Sequence, residues 1–220
     1  MKRLARVLIA VLPGVLFAGI ASAQAPAALV LEASGSIAPA VRPYTEIVAD
    51  TTLALSGGAR LMFLHYQTCR TVAVTGGSLT VTVGSYSIAG GTKSSDVLAP
   101  CPRKVSVRGG GELGGAVFRS LPGSRGLVIQ TEAAFVLVGP QASEFASARI
   151  MRDDAPIAQG PIRDKVFRWP AGAAPLAPST GYELVLVPAS ATDRSVTVRF
   201  TTPSTAAPAG QEPLVVIGVD

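Results

Sequence analysis

Apolar and polar residues alternate in short runs along most of this chain. A period of two puts successive side chains on opposite faces of a strand. Leu29 to Glu32, a segment from Gly35 to Ile37, Thr45 to Val48 and Thr51 to Leu55 read as strands, punctuated by Pro39, Pro43 and Gly57-Gly58. In Arg60 to Tyr66, Leu61, Phe63 and His65 share one face, while Met62, Leu64 and Tyr66 share the other. Both faces are mostly apolar, so this strand is expected to be covered on both sides. Thr71 to Val83 reads as a hairpin turning at Gly76-Gly77, because both glycines can take positive φ. Tyr86 to Ala89 and Lys104 to Arg108 are further strands, with an exposed loop between them at 92–103.

Ser120 to Gly126 is the best break in the chain. Beyond it lie seven candidate strands: Leu127–Thr131, Phe135–Val138, Ala146–Arg152, Asp164–Arg168, Tyr182–Val187, Val196–Phe200 and Leu214–Val219. That number and spacing suit a sandwich. No segment after the N-terminal region carries a 3.6-residue period. The expected fold is all-β, with two β-rich domains at 29–119 and 127–220, a linker at 120–126, and a disordered Ala/Pro tail at 24–28.

The first 23 residues differ from the rest. Lys2, Arg3 and Arg6 precede an apolar run from Val7 to Ile20, followed by Ala21-Ser22-Ala23. This is the three-part pattern of a cleaved secretory signal, so the expected location is the periplasm or the exterior. An uncleaved anchor is the competing reading; the run is short for a bilayer span and is broken by Pro13-Gly14. No later segment is long and apolar enough to cross a membrane as a helix. The signal also holds three of the 19 basic residues and none of the 14 acidic ones, so the net charge of +5 falls to +2 without it. No run of Lys or Arg remains to neutralise a row of phosphates, and no nucleic-acid partner is expected.

Cys69 and Cys101 are the two cysteines. In an exported chain they are expected to form one disulfide, worth roughly 3–4 kcal/mol in the chain-entropy picture. A redox-active pair would want C-x-x-C spacing, which is absent.

Leu176-Ala177-Pro178-Ser179-Thr180-Gly181-Tyr182-Glu183-Leu184 resembles the Leu-x-Pro-x-Thr-x-Tyr-x-Leu stretch of fibronectin type III-like domains. That resemblance implies an immunoglobulin/fibronectin-like sandwich in which Tyr182 makes a tyrosine corner and Leu176 plugs the core. Trp169 is expected to pack inside as well, although the family's usual tryptophan lies on an earlier strand. Gly35-Ser36-Ile37, Pro43 to Ile47, Thr52 to Leu55 and Ala59-Arg60-Leu61 resemble the FecR-like β-domain of bacterial periplasmic signalling proteins. This resemblance implies a module that relays signals or binds partners, without catalysis; the cysteine pair is not part of that pattern.

Candidate chemistry is sparse. His65 is the single histidine, and no G-x-S-x-G elbow accompanies it; on a strand its expected role is packing and hydrogen bonding. One His and two bridged cysteines do not make a soft metal site. Asp153-Asp154 lacks a calcium-loop pattern and fits a turn. Gly109 to Gly115 is not followed by a helix, so a turn fits it better than a phosphate cradle. No catalytic residue, metal or cofactor is therefore expected. Tyr44, His65, Tyr66, Arg70 and Tyr86 surround the cysteine-pinned region, and aromatic and Arg side chains are those an interface uses; ordinary packing is the competing account. Edge strands of the second domain could add a partner's strand. The expectation is a non-enzymatic periplasmic interaction or sensory accessory protein that binds another envelope protein. The alternative is a carbohydrate or cell-wall binding module, or a cell-wall hydrolase.

Overall fold

A computed structural model describes residues 24–107, 117–118, 127–129, 133–190, 195–204 and 214–219. The expected signal segment, the glycine-rich run at 109–115 and the expected linker at 120–126 lie outside the described residues. The fold is all-β, in three sheets, and none of the described residues is helical.

The first sheet contains β1 (Pro26–Ser34), β2 (Ile37–Ala38), β3 (Glu46–Val48), β4 (Thr51–His65), β5 (Arg70–Val81), β6 (Tyr86–Ala89) and β7 (Thr92–Leu98). β4 and β5 pair along their whole length, from Thr51↔Val81 to His65↔Arg70. The expected hairpin at Gly76-Gly77 is not there. β5 continues through it, and the turn lies at residues 66–69 instead. Both glycines do take positive φ, 66° and 75°. They bend the strand without reversing it, because β4 carries a matching irregularity between Leu55 and Arg60.

The bend divides the sheet. Above it β4 pairs with β1 and β5 with β7; below it β4 pairs with β2 and β5 with β6. The two halves close over one core, to which β4 contributes Leu53 and Leu55 from one side and Leu61 and Phe63 from the other. The corner is backbone against backbone. A Cβ on Gly77 would run into Gly91 N and Ala89 O, and one on Gly35 would lie 2.8 Å from Ala59 Cα. The expected disordered tail at 24–28 is also corrected. Pro26 starts β1, where its missing N–H costs no ladder bond. Ala27 and Ala28 are buried, small enough to fit the core beside Ile47.

The other two sheets share a second core. The central sheet has the order β13 (Val166–Phe167), β10 (Ala134–Val138), β16 (Leu214–Val219), β8 (Arg103–Val107), β9 (Val117–Phe118). The outer sheet has the order β12 (Ala155–Pro161), β11 (Phe145–Arg152), β14 (Gly181–Pro188), β15 (Val196–Thr201). Phe135, Leu137, Val215 and Ile217 meet Ile150, Leu184, Val198 and Phe200 between them.

β8 departs from the expected division of the chain. It falls within 29–119, yet it pairs in parallel with β16, which in turn pairs in parallel with β10. Parallel sheets need cover on both faces. β10 is accordingly buried at every position, Ala134-Phe135-Val136-Leu137-Val138. Its second face, Ala134, Val136 and Val138 with Val216, packs on Leu29 of the first sheet and on the partly buried Leu31, Tyr44 and Tyr66. The molecule is thus three layers deep, and the two-sided covering read from Arg60 to Tyr66 has its physical source here.

Candidate functional site

The five residues expected at an interface separate into three environments. His65 is fully buried. Its Nε2 lies 3.0 Å from the Thr82 carbonyl, which can only accept, so Nε2 carries the proton. Its Nδ1 accepts from the Thr68 hydroxyl at 2.9 Å and from the Thr68 N–H at 3.3 Å. Both nitrogens are satisfied and none of the ring reaches the surface, so His65 is removed from the expected interface. It is a packed core residue.

Tyr44 and Tyr66 lie where the first sheet meets the central one. The Tyr66 hydroxyl donates to Glu46 Oε1 at 2.7 Å, and Lys104 Nζ of β8 donates to the same oxygen at 2.6 Å. Lys104 also stands 5.5 Å over the Tyr66 ring. Burial, followed by the adjacent Glu46 carboxylate, pushes the Tyr66 hydroxyl far above the ordinary phenol range. The cluster clasps the two parts of the chain together. Neither Glu46 nor Lys104 stands out in the sequence, because each looks like an ordinary strand-surface charge.

Arg70 and Tyr86 converge on Asp96. Arg70 pairs with the Asp96 carboxylate through Nε and donates from Nη2 to the Asp96 carbonyl at 2.8 Å. Tyr86 donates to Oδ2 at 2.9 Å and Lys93 does so at 2.6 Å. The Tyr86 ring packs edge-on to Phe63 and His65, at 5.4 and 5.7 Å. Hydrogen bonds from Lys93, then Arg70, hold the Asp96 carboxyl well below the usual carboxylate range. Burial, then the contact with Asp96, raises Tyr86. β6 and β7 pair with different halves of β5, so Tyr86–Asp96 bridges the open side of the first core. A lone Asp in Thr-Lys-Ser-Ser-Asp reads as loop, and no periodicity marks it.

Cys69 and Cys101 form the expected disulfide, with Cα atoms 4.7 Å apart. It joins the β4–β5 turn to the segment that leaves β7 for β8, and Ala99 N donates to the Cys69 carbonyl at 2.8 Å. Just before this staple, Val97 and Leu98 are 54% and 72% exposed, the most exposed large apolar residues after β6 among the described residues. They lie on β7, which among the described residues pairs only with β5.

In the outer sheet, Ala177 N donates to the Tyr182 hydroxyl at 2.8 Å, and Leu176 and Tyr182 are buried. Trp169 packs against the same core with its Nε1 buried and without a partner. Asp153-Asp154 forms the turn between β11 and β12, both residues at positive φ. Beside it opens a groove of about 520 Å³, lined by Leu127, Met151, Asp154, Tyr182, Glu183 and Arg199 among others. Arg199 holds Glu183 at 2.8 Å. Among the described residues no group of three His, Cys, Asp or Glu is placed to hold a metal ion. Among the described residues there is no helix long and apolar enough to cross a membrane.

Compared with models of known protein families, with curated proteins and with solved structures, the chain matches none.

Proposed function

We propose that this is a non-enzymatic interaction or sensory accessory protein of the periplasm that holds another envelope protein. One observation carries the reading: an exposed apolar pair, Val97 and Leu98, sits on an edge strand whose end is fixed by the Cys69–Cys101 disulfide. Exposed apolar side chains on a pre-ordered segment lose little conformational freedom on binding, which is what favours an interface. The secretory pattern of residues 1–23 and the sulfur bridge agree on an oxidising compartment. In this reading the first unit is a FecR-like module and the second a fibronectin-like sandwich. The tyrosine hydroxyl bonded back to Ala177 supports the latter. The shared apolar layer and the Glu46–Tyr66–Lys104 cluster would carry a contact at one unit to the other.

Affinity capture tests this. The protein at micromolar concentration, incubated with solubilised envelope, is expected to retain a defined envelope protein in near-stoichiometric amount. Recovery of none overturns the reading. A second reading, a cell-wall carbohydrate module, draws on the groove of about 520 Å³ beside Asp154, a volume within the range of small-ligand sites. Titration with peptidoglycan fragments decides it; heat of binding abolished by Glu183→Ala would favour it over the first.

A further inference from the structure

Exposed sheet edges are normally protected by shortness, by proline or by cover. Most edges among the described residues follow that rule. β2 and β13 have two residues, β3 three and β6 four. β12 carries Pro156 and Pro161. The outer flank of β15 is taken up at Thr201, which exchanges backbone bonds with Leu127 and Ile129. β7 is the longest edge left open, with seven residues, no proline and no strand beyond it among the described residues; its guards are Lys93, the inward Asp96 and a register irregularity opposite Ala73 and Val74.

This edge is also held in place. Its start is tied through Lys93 and its middle through Asp96, which binds Arg70 and Tyr86. Its end is tied through Ala99 and the disulfide. Its charge is one-sided. Lys93 and Arg70 keep 46% and 39% of their side chains exposed. Against these two cations stands one carboxylate, Asp96, already engaged by both, which leaves an excess of one positive charge.

The geometry points to β7 as the docking edge for an extended, acidic segment of another envelope protein, which adds to the first sheet as a further strand. The inference rests on the interaction reading above and names the kind of partner. Backbone groups along β7 supply the ladder, Val97 and Leu98 supply apolar contact on the two faces, and the cations select acidic side chains. A second copy of this chain is a poorer occupant, because it would bring a second edge with the same excess of cations and no added carboxylate.

Fluorescence anisotropy with three labelled heptapeptides tests the assignment on the full chain. The probes are an alternating Glu/Val peptide, its Lys/Val counterpart, and the Glu/Val peptide with a central proline. The Glu/Val peptide is expected to bind at least tenfold more tightly than either control, since proline removes a ladder donor. Leu98→Glu, at an exposed position, is expected to weaken it at least tenfold with the melting temperature unchanged. Lys93→Gln is a second variant, expected to reduce the preference for acid over base severalfold. Equal binding of the acidic and basic peptides, no binding of any, or indifference to both substitutions overturns the assignment. No envelope partner enters this assay, so its failure leaves the capture experiment free to succeed and the two readings fall separately.

Discussion

The two cores of this protein are closed by opposite means. The first is made by one sheet folding over itself, and the corner works because Gly77 and Gly91 let backbones touch where any side chain would intrude. The second is made by two sheets stacking, and its closure is a matter of interdigitated Phe, Leu, Val and Ile. The contrast teaches where each is vulnerable. A bent sheet depends on a few backbone positions, whereas a stacked pair spreads its stability over many side chains, each worth a few kcal/mol.

Gly77→Ala tests that contrast most severely. The new Cβ meets backbone, which cannot step aside, at a φ of 75° that L-residues avoid. A loss exceeding about 4 kcal/mol is expected, read by chemical denaturation and by hydrogen exchange confined to β4 and β5 amides. Gly218→Ala in β16 is the matching control. There the nearest atom is the Ser106 hydroxyl at 3.2 Å, on a side chain that can turn away, so a loss under about 1 kcal/mol is expected. Similar losses at the two sites would erase the distinction.

The staple comes next. Cys101→Ser is expected to lower stability by about 3–4 kcal/mol, with faster exchange in β5 and β7 and little change in β11 and β14. A uniform loss across both units would mean that the bridge stabilises the whole molecule and not the first unit. Smaller than the loss of the staple is that of Tyr182→Phe. It leaves Ala177 N without its acceptor and is expected to cost about 1–2 kcal/mol, confined by the same measurement to the outer sheet.

Where sequence and structure agree, the information is local. Alternation in Tyr182–Val187 and Val196–Phe200 places Leu184, Leu186, Val198 and Phe200 in the core, and all four are there. The Leu-x-Pro-x-Thr-x-Tyr stretch anticipates the Tyr182 bond to Ala177, five residues back. Two cysteines behind a secretory sequence pattern anticipate their bridge. Where the reading goes astray, the deciding partner is remote. Gly76-Gly77 has the same φ values in a tight turn as in a bend, and the choice is made by the irregularity in β4 some 20 residues upstream. Ala27 and Ala28 look like tail until Ile47 lies beside them. β12 passes unnoticed because its prolines argue against a strand, and an edge position is what permits them. The Asp96 cluster draws on four residues from three strands, none in a recognisable spacing. The exposure of Val97 and Leu98 depends on β7 lying at the end of a sheet, which periodicity does not encode.

The parallel pairing of β16 has a consequence for how the molecule comes into being. β16 lies between β10 and β8 and is hydrogen-bonded to both. β10 can pair with β13 and β8 with β9, but neither can join the other until residues 214–219 are in place. The central layer, and with it the surface on which the first sheet rests, is therefore completed through contacts of very long sequence separation that form slowly. Before residues 214–219 arrive, this layer cannot lock, and the apolar positions of β10 and β8 stay uncovered along one flank.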